Sequence, residues 1–248
     1  MKAHMEEQKH EERSKAMKRS STMWSLRRGY HTRLFLLVLV VGLSLSFTGC
    51  ATLSKGGDEG VRLKEPRIQP LAESQWNAQQ QKMLTPLKRD GRVINVWTTI
   101  ANSPKLAEKW LPFAFYFLTE STLPRREREM LMLRSAWLCQ CEYIFGQHTL
   151  LGKSAGLSDE EITRITKGPK APGWNPFDAA LLQAVDELHD DAFIPDTTWN
   201  ALAQRYNQQQ LMDVVATVGQ YTLLSMFLNS SGVQLDEGVP GFPKATGK

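Results

Sequence analysis

The chain has 248 residues, 42% of them apolar, which is enough to bury a sizeable core, and its formal net charge is +4. The charge is uneven: residues 1–49 hold 9 Lys and Arg against 4 Asp and Glu, which leaves 21 basic and 22 acidic residues after position 49. The composition indicates a globular protein. Because the basic excess belongs to the N-terminal segment, the rest of the chain lacks the positive footprint of a nucleic-acid-binding protein, and we expect no nucleic acid partner.

An export signal is predicted near the N terminus. Three arginines between positions 27 and 33 precede residues 34–47, a run that is almost wholly apolar. Its fourteen residues fall short of the ~20 that span a bilayer, so a signal peptide is favoured over a transmembrane helix. The sequence Phe47-Thr48-Gly49-Cys50 resembles the cleavage box of bacterial lipoproteins. This resemblance implies a lipidated Cys50 and, with Ala51 following it, export to the periplasmic side and anchoring in the outer membrane.

Three regions follow from this pattern. Residues 1–49 are predicted to be a charged leader with the signal peptide, residues 50–70 a Gly- and Pro-interrupted tether to the lipid, and residues 71–248 a helical domain. Apolar residues recur at helical spacing in the domain, and no run alternates like a strand, so we predict an all-α fold. The predicted helices cover residues 76–87, 105–118, 124 onward, 158–166, 176–189, 196–206 and 209–228.

The polar residues with the richest chemistry lie in the apolar segment 124–156. They include Glu129, Arg134, Cys139, Cys141, Glu142, Tyr143 and His148. An unbroken helix would put Glu129 and His148 about 28 Å apart at 1.5 Å per residue. A shared site therefore requires a bend near residues 139–142, although no Gly or Pro marks one.

The same segment carries a family resemblance. Glu129, the run Cys141-Glu142-Tyr143, the run Gly146-Gln147-His148 and residues 155–162 resemble the signature of the carboxymuconolactone decarboxylase and alkylhydroperoxidase D superfamily. The resemblance implies an alkylhydroperoxidase D-like helical fold and obligate homo-oligomers, here a trimer or larger, with active sites near subunit boundaries. In the hydroperoxidase branch a glutamate, a Cys-x-x-Cys pair and a histidine cooperate. Aligned on His148, these fall on Glu129 and Cys141, and Ile144 stands where the second cysteine would be.

Three functions remain open on these residues. The first is a thiol-dependent hydroperoxide reductase that uses Cys141 with Glu129 and His148 and takes electrons from a thiol reductant. The second is a non-redox acid and base lyase, similar to a lactone decarboxylase, and the third is a non-catalytic oligomeric binding module. Supporting roles in the site are expected for Tyr143, Glu142 and Arg134.

No cofactor or metal is expected, because the Cys-x-Cys spacing and a single histidine match no standard zinc pattern. Residues two apart on one helix point about 200° apart. On the same helix as Cys141, Cys139 is therefore expected to face away from His148 and to be dispensable. Residues two apart also point to opposite faces of a strand, so no disulfide between Cys139 and Cys141 is expected.

Overall fold

The computed structural model describes residues 62–243, whose regular secondary structure is helical apart from an isolated backbone bridge between Arg89 and Arg92. The all-α prediction is confirmed. Nine α-helices lie in this part of the chain: α1 (Ala78–Leu84), α2 (Asn95–Ile100), α3 (Pro104–Thr119), α4 (Arg125–Leu138), α5 (Glu142–Ser154), α6 (Asp159–Lys167), α7 (Pro176–Asp191), α8 (Asp196–Ala203) and α9 (Gln208–Ser231). Two 3₁₀ turns, Glu73–Gln75 and Thr85–Leu87, flank α1.

Local capping explains several helix starts that the sequence predicts. The Ser158 hydroxyl accepts a hydrogen bond from the Glu161 amide at 3.2 Å, and the Glu161 carboxylate accepts one from the Ser158 amide at 2.9 Å. Asn207 and Gln210 make the same reciprocal pair at the start of α9. Each pair satisfies two backbone amides that would otherwise have no partner in the first turn.

Helix α2 is the one the sequence pattern missed, and its capping is tertiary. The Asn95 amide donates to a carboxylate oxygen of Asp236 at 2.9 Å, and the Val96 amide donates to the Tyr143 hydroxyl at 3.1 Å. Both acceptors lie more than forty residues away in the chain. No local signal therefore marks the beginning of this helix.

The core is organised around α4. Its residues 127–136 are all buried, and it packs against α5, α6, α7 and α9. Among the described helices, α9 alone has the length and hydropathy of a membrane span, but 56% of its apolar window is buried inside the domain, as expected of a core helix.

Residues 62–70, the described end of the predicted tether, lie against the C-terminal end of α9. The Arg67 and Ile68 amides both donate to the Ser231 carbonyl, at 2.8 and 3.2 Å, and the Gln234 side chain donates to the Leu63 carbonyl at 2.9 Å. The leader, the signal peptide and Cys50 lie outside the described residues. The domain boundary at residue 71 stays a prediction.

Candidate functional site

The connection between α4 and α5 is a tight turn, and it supplies the bend that the sequence required. Cys139 caps the C-terminal end of α4, and Gln140 follows in the left-handed region with φ 51°. The Cys141 amide reaches back to the Ala136 carbonyl at 2.8 Å, which is the closing bond of a Schellman turn. From α9, the Asn229 side chain donates to the Cys139 carbonyl at 2.9 Å and clamps the turn.

The bend folds α5 back along α4 and brings Glu129 and His148 together. His148 Nδ1 and Glu129 Oε2 are 2.7 Å apart, and the two residues are 6% and 1% exposed. Because a carboxylate only accepts, the Nδ1–H of the imidazole donates, and Nε2 is left as the second functional nitrogen. A carboxylate that fixes a histidine tautomer in this way is the usual arrangement of a general acid or base.

Tyr221 from α9 completes the surroundings of this pair. Its ring meets the His148 ring edge to face, with centroids 4.9 Å apart and planes at 82°. Burial, and then the charge of Glu129, raise the pKa of the Tyr221 phenol well above its ordinary value, while Arg128 lowers it. Tyr221 therefore stays protonated and available as a donor.

Several buried polar atoms close to this pair in the chain have no hydrogen-bond partner in the described structure. Four such residues adjoin Glu129, His148 or Tyr221 in sequence or lie one helical turn from Tyr221 on α9: Arg128 (Nε), Thr149, Thr217 and Gln220 (Nε2). Buried polar groups are nearly always paired in folded proteins. Each such position is a candidate for contact with a ligand, a water molecule or another subunit that supplies the missing partner.

Cys141 is almost fully enclosed, with 1% of its surface exposed. Burial raises the pKa of its thiol to about 11, and the Ile144 amide and the Ser225 hydroxyl offset only part of this effect. Among the described residues, no hydrogen bond joins Cys141 to His148. Ile144, 2% exposed, follows Cys141 by three residues and precedes His148 by four on the same helix.

Cys139 lies in a different environment from Cys141. It is half-buried, and its sulfur is 3.9 Å from Nδ1 of His189, an exposed residue near the end of α7. Burial raises the pKa of Cys139, whereas the Ser225 and Thr222 hydroxyls and the charge of Arg62 lower it. Both thiols thus adjoin the same hydroxyl, that of Ser225.

Placing both cysteines on one helix was wrong. Cys139 ends α4, Cys141 precedes α5, and the left-handed residue between them reverses the chain. The reason for expecting the two thiols to face opposite ways therefore does not hold.

The three residues expected to support the site have other partners. The Tyr143 hydroxyl donates to Asp236 and accepts from Val96, and the Glu142 carboxylate accepts from the Phe242 amide at 3.1 Å. Both hold the segment that follows α9 against α5.

Arg134 makes a bidentate ion pair with Asp186 at 2.7 and 2.9 Å and also donates to the Ile165 and Thr166 carbonyls at 3.0 Å. These contacts tie α4 to α6 and α7, away from the Glu129–His148 pair. The described contacts thus give Arg134 a structural role.

Tyr221 and Ser225 were missed as site residues. A signal was available, because Thr217, Tyr221 and Ser225 recur at four-residue spacing in a largely apolar stretch of α9 and so share one face. Of the described residues, no cluster of three or more His, Cys, Asp or Glu side chains could hold a metal ion.

Comparisons with known proteins agree with this fold. The family model described as carboxymuconolactone decarboxylase family matches residues 104–187. No curated protein matches the sequence.

Among solved structures, the chain is similar to the alkylhydroperoxidase AhpD core of an uncharacterized peroxidase-related protein from Ralstonia eutropha JMP134. The two share 18% identity with a TM-score of 0.59 over 68% of this chain and 93% of that one. An uncharacterized peroxidase-related protein from Silicibacter sp. TM1040 matches at 15% identity and TM-score 0.58, over 75% and 97%. The debrominase Bmp8, in complex with 2,3,4-tribromopyrrole, matches at 14% identity and TM-score 0.56, over 70% and 94%.

At these identities the solved structures establish the fold, while the sequence model identifies the family over the helices that carry the Glu129–His148 pair and the thiol turn. Residues 104–187 are therefore a carboxymuconolactone decarboxylase family domain with an alkylhydroperoxidase D-like all-α fold.

Proposed function

We propose that this protein is a thiol-dependent hydroperoxide reductase in which Glu129 and His148 handle protons for a thiol at Cys141. The observation that carries the proposal is the spacing on α9. Tyr221 contacts His148, and Ser225 adjoins both thiols. Four residues separate them, or about 6 Å along the helix axis. An acid and base pair and a thiol thus border one stretch of a single helix face.

The chemistry needs both parts. A thiolate attacks the distal oxygen of the hydroperoxide, the O–O bond breaks, and the departing alkoxide takes a proton to leave as an alcohol. The thiol becomes a sulfenic acid, which a dithiol reductant returns to the thiol with release of water. His148, oriented by Glu129, supplies the proton to the leaving oxygen. The peroxidase-related names of two structural relatives support this reaction class.

The test is turnover of cumene hydroperoxide by the purified protein with dithiothreitol as reductant. Glu129→Gln and His148→Gln should each lower turnover ~100-fold, the contribution of a well-placed acid. Glu127→Gln is the matched control, because Glu127 is also buried on α4 but pairs with Arg205 and Tyr206. Equal losses in all three variants, or wild-type protein with no turnover, would overturn the proposal.

A second candidate is a non-redox acid and base lyase, which the surroundings of Cys141 favour. Its thiol is enclosed and has a pKa of about 11, and Ile144 stands one turn before His148 where the family pattern places a thiol. Glu129, His148 and the protonated Tyr221 can transfer protons to and from an unsaturated acid or lactone without a thiol. Loss of lactone decarboxylation in His148→Gln but not in a Cys141→Ser variant would select this candidate.

We extend the proposal to assembly. Apolar side chains are exposed along one face of α9, at Met212, Val215, Leu223 and Met226, and on α3 at Leu106 and Phe113. An apolar surface of this extent is typical of a protein–protein contact. Sedimentation should therefore show a homo-oligomer, a trimer or larger, and a monomer at micromolar concentration would contradict this. If the protein is instead a non-catalytic binding module, it should form the same oligomer but show no hydroperoxide turnover.

Export and anchoring form a separate part of the proposal. It rests on the basic, apolar and small-residue order that ends at Cys50. Metabolic labelling with a fatty acid should mark the wild-type protein at the membrane, and Cys50→Ala should abolish the label and leave the precursor uncleaved. Unlabelled wild-type protein would refute it.

A further inference from the structure

We infer that Arg128 binds an anionic group of the substrate, so that the hydroperoxide reduced by this protein carries a carboxylate. The inference deepens the proposed function and rests on it for the reaction at Glu129 and His148. Its ground is the environment of Arg128, a buried arginine of α4 that has no anionic partner in the described part of the chain.

Arg128 is a buried cation without a partner. It is 8% exposed, its Nε is covered and unpaired, and the described residues form no ion pair or hydrogen bond with its guanidinium. Arg134, the other buried arginine of α4, is 6% exposed and has Asp186 and two carbonyl groups as partners. Removing a guanidinium from water without a compensating anion is costly. The stability of the single chain therefore does not explain an arginine at position 128.

The position of Arg128 on α4 places it between two neighbouring helices. Consecutive residues of a helix are rotated by about 100°, so Arg128 lies halfway between Glu127 and Glu129 around the helix axis. Glu127 accepts a hydrogen bond from Tyr206, just before α9 begins. Glu129 pairs with His148 of α5. Arg128 thus lies on the side of α4 between α9 and α5, both of which pack against α4.

Helices α5 and α9 meet at the contact between His148 and Tyr221, whose ring centroids are 4.9 Å apart. Burial and the charge of Glu129 raise the pKa of the Tyr221 phenol, and the charge of Arg128 lowers it, as expected for a guanidinium on this side of α4. An anion bound to Arg128 therefore lies beside the acid and base pair. That position suits one end of a substrate whose reacting oxygens contact His148.

The chemistry of the guanidinium selects a carboxylate. Its N–H donors form a planar fork that matches the two oxygens of a carboxylate or of a phosphate. A single guanidinium neutralises one negative charge, which a carboxylate supplies and a phosphate dianion exceeds. The substrate class is accordingly a hydroperoxide with one carboxylate.

Binding to the full-length protein can be measured without turnover. The probe is cumyl alcohol with a para-carboxylate, the product expected from the corresponding hydroperoxide, and its methyl ester is the uncharged comparison. In calorimetric titration, Arg128→Met should weaken binding of the carboxylate at least ~10-fold relative to the ester, the effect of one lost charged hydrogen bond. Arg125→Met is the matched control, because Arg125 is an exposed arginine of the same helix that donates to Ser154. It should bind both probes as the parent protein does.

Stability and a conservative variant separate a binding role from a structural one. Because methionine removes a buried charge that has no partner, Arg128→Met should have a denaturation midpoint equal to or above that of the parent protein. A lower midpoint would give Arg128 a structural role and overturn the inference. Arg128→Lys keeps the charge without the planar fork, so it should bind the carboxylate probe more tightly than Arg128→Met does.

Turnover tests the same preference in the reaction. With dithiothreitol as reductant, the ratio of kcat/KM for the para-carboxylate of cumene hydroperoxide to that for its methyl ester should fall at least ~10-fold in Arg128→Met and stay at the parent value in Arg125→Met.

Failure of the two proposals can be told apart. Equal binding of the carboxylate probe by the parent protein and Arg128→Met, or binding by neither, overturns the inference alone. If neither binds it and Arg128→Met sediments as a smaller species, the partner of Arg128 is instead a second subunit. Carboxylate binding that requires Arg128, without hydroperoxide turnover, rejects the reductase alone.

Discussion

Ile144→Cys would restore a thiol one helical turn before His148 and so test the Glu129–His148 pair directly. Ile144 is 2% exposed, and cysteine lacks about two of its methylene-sized groups. At ~0.8 kcal/mol for each group, plus a small cavity, the variant should lose about 2 kcal/mol of unfolding free energy. Residues four apart on a helix are neighbours, so the new thiol lies within reach of the imidazole.

We expect Ile144→Cys to turn over cumene hydroperoxide with dithiothreitol faster than wild type, because its thiol lies one helical turn from His148, whereas no hydrogen bond in the described structure joins Cys141 to His148. Ile144→Ser is the matched control, since serine nearly reproduces the volume of cysteine without its nucleophile. Chemical denaturation of all three proteins reports whether they are folded. A folded Ile144→Cys variant no faster than Ile144→Ser would show that Glu129 and His148 do not serve a thiol, and the acid and base lyase would then be preferred.

Three further predictions concern the thiol, the C-terminal segment and the tether. Burial raises the pKa of Cys141 to about 11, so its thiolate is scarce at neutral pH. In a Cys139→Ser variant, the rate of alkylation of the Cys141 thiol should therefore rise about tenfold per pH unit between pH 7 and 10. Gly146→Ala would put a Cβ 2.1 Å from the Pro240 carbonyl oxygen and should release the end of the domain, as measured by hydrogen exchange. A chain beginning at residue 71 should be ~2 kcal/mol less stable than one beginning at residue 57, because it loses the hydrogen bonds of segment 62–70.

Each of these has a clear counter-outcome. A flat alkylation rate across that pH range would mean that Cys141 is not held as a thiol. Gly219→Ala is the glycine control, since nothing lies within 4 Å of its added Cβ and it should stabilise α9 slightly. If Gly146→Ala and Gly219→Ala show the same hydrogen exchange, the Pro240 carbonyl does not lie close to Gly146. Equal stability of the two truncated chains would support the predicted boundary at residue 71.

Most helices could be predicted because their caps and apolar spacing are local features of the sequence. The features that could not be predicted depend on tertiary contacts. The distance between Glu129 and His148 along an unbroken helix showed that a shared site requires a bend. The residue types did not mark its position, because Gln140 adopts the left-handed conformation that glycine usually provides. The clamp that stabilises it comes from Asn229, ninety residues later. A sequence pattern cannot supply such a partner. The positions of the Cys139 and Cys141 thiols depend on this turn, so they could not be predicted either.

Charged residues in the core show the same limit. Glu129 and Arg134 are both buried on α4, and a buried charge requires a partner. For Arg134 the partner is Asp186, fifty-two residues away, and for Glu129 it is His148. Only the fold decides which of the two charged residues is paired with an imidazole and thus has a proton to exchange.

The buried polar atoms of α9 reduce the stability of the fold unless they have hydrogen-bond partners. A buried polar atom without a partner costs about 1–3 kcal/mol, and Thr217 and Gln220 each carry one on this helix. Apolar side chains of similar size would fill the same space at no such penalty, so stability alone does not explain these residues. The unpaired atoms lie on the helix that also contacts His148, through Tyr221, and both thiols, through Ser225. We therefore expect substrate or a second subunit to supply the missing hydrogen-bond partners on α9. The unpaired atoms would then cost stability in the single chain but form part of a site in the assembled protein.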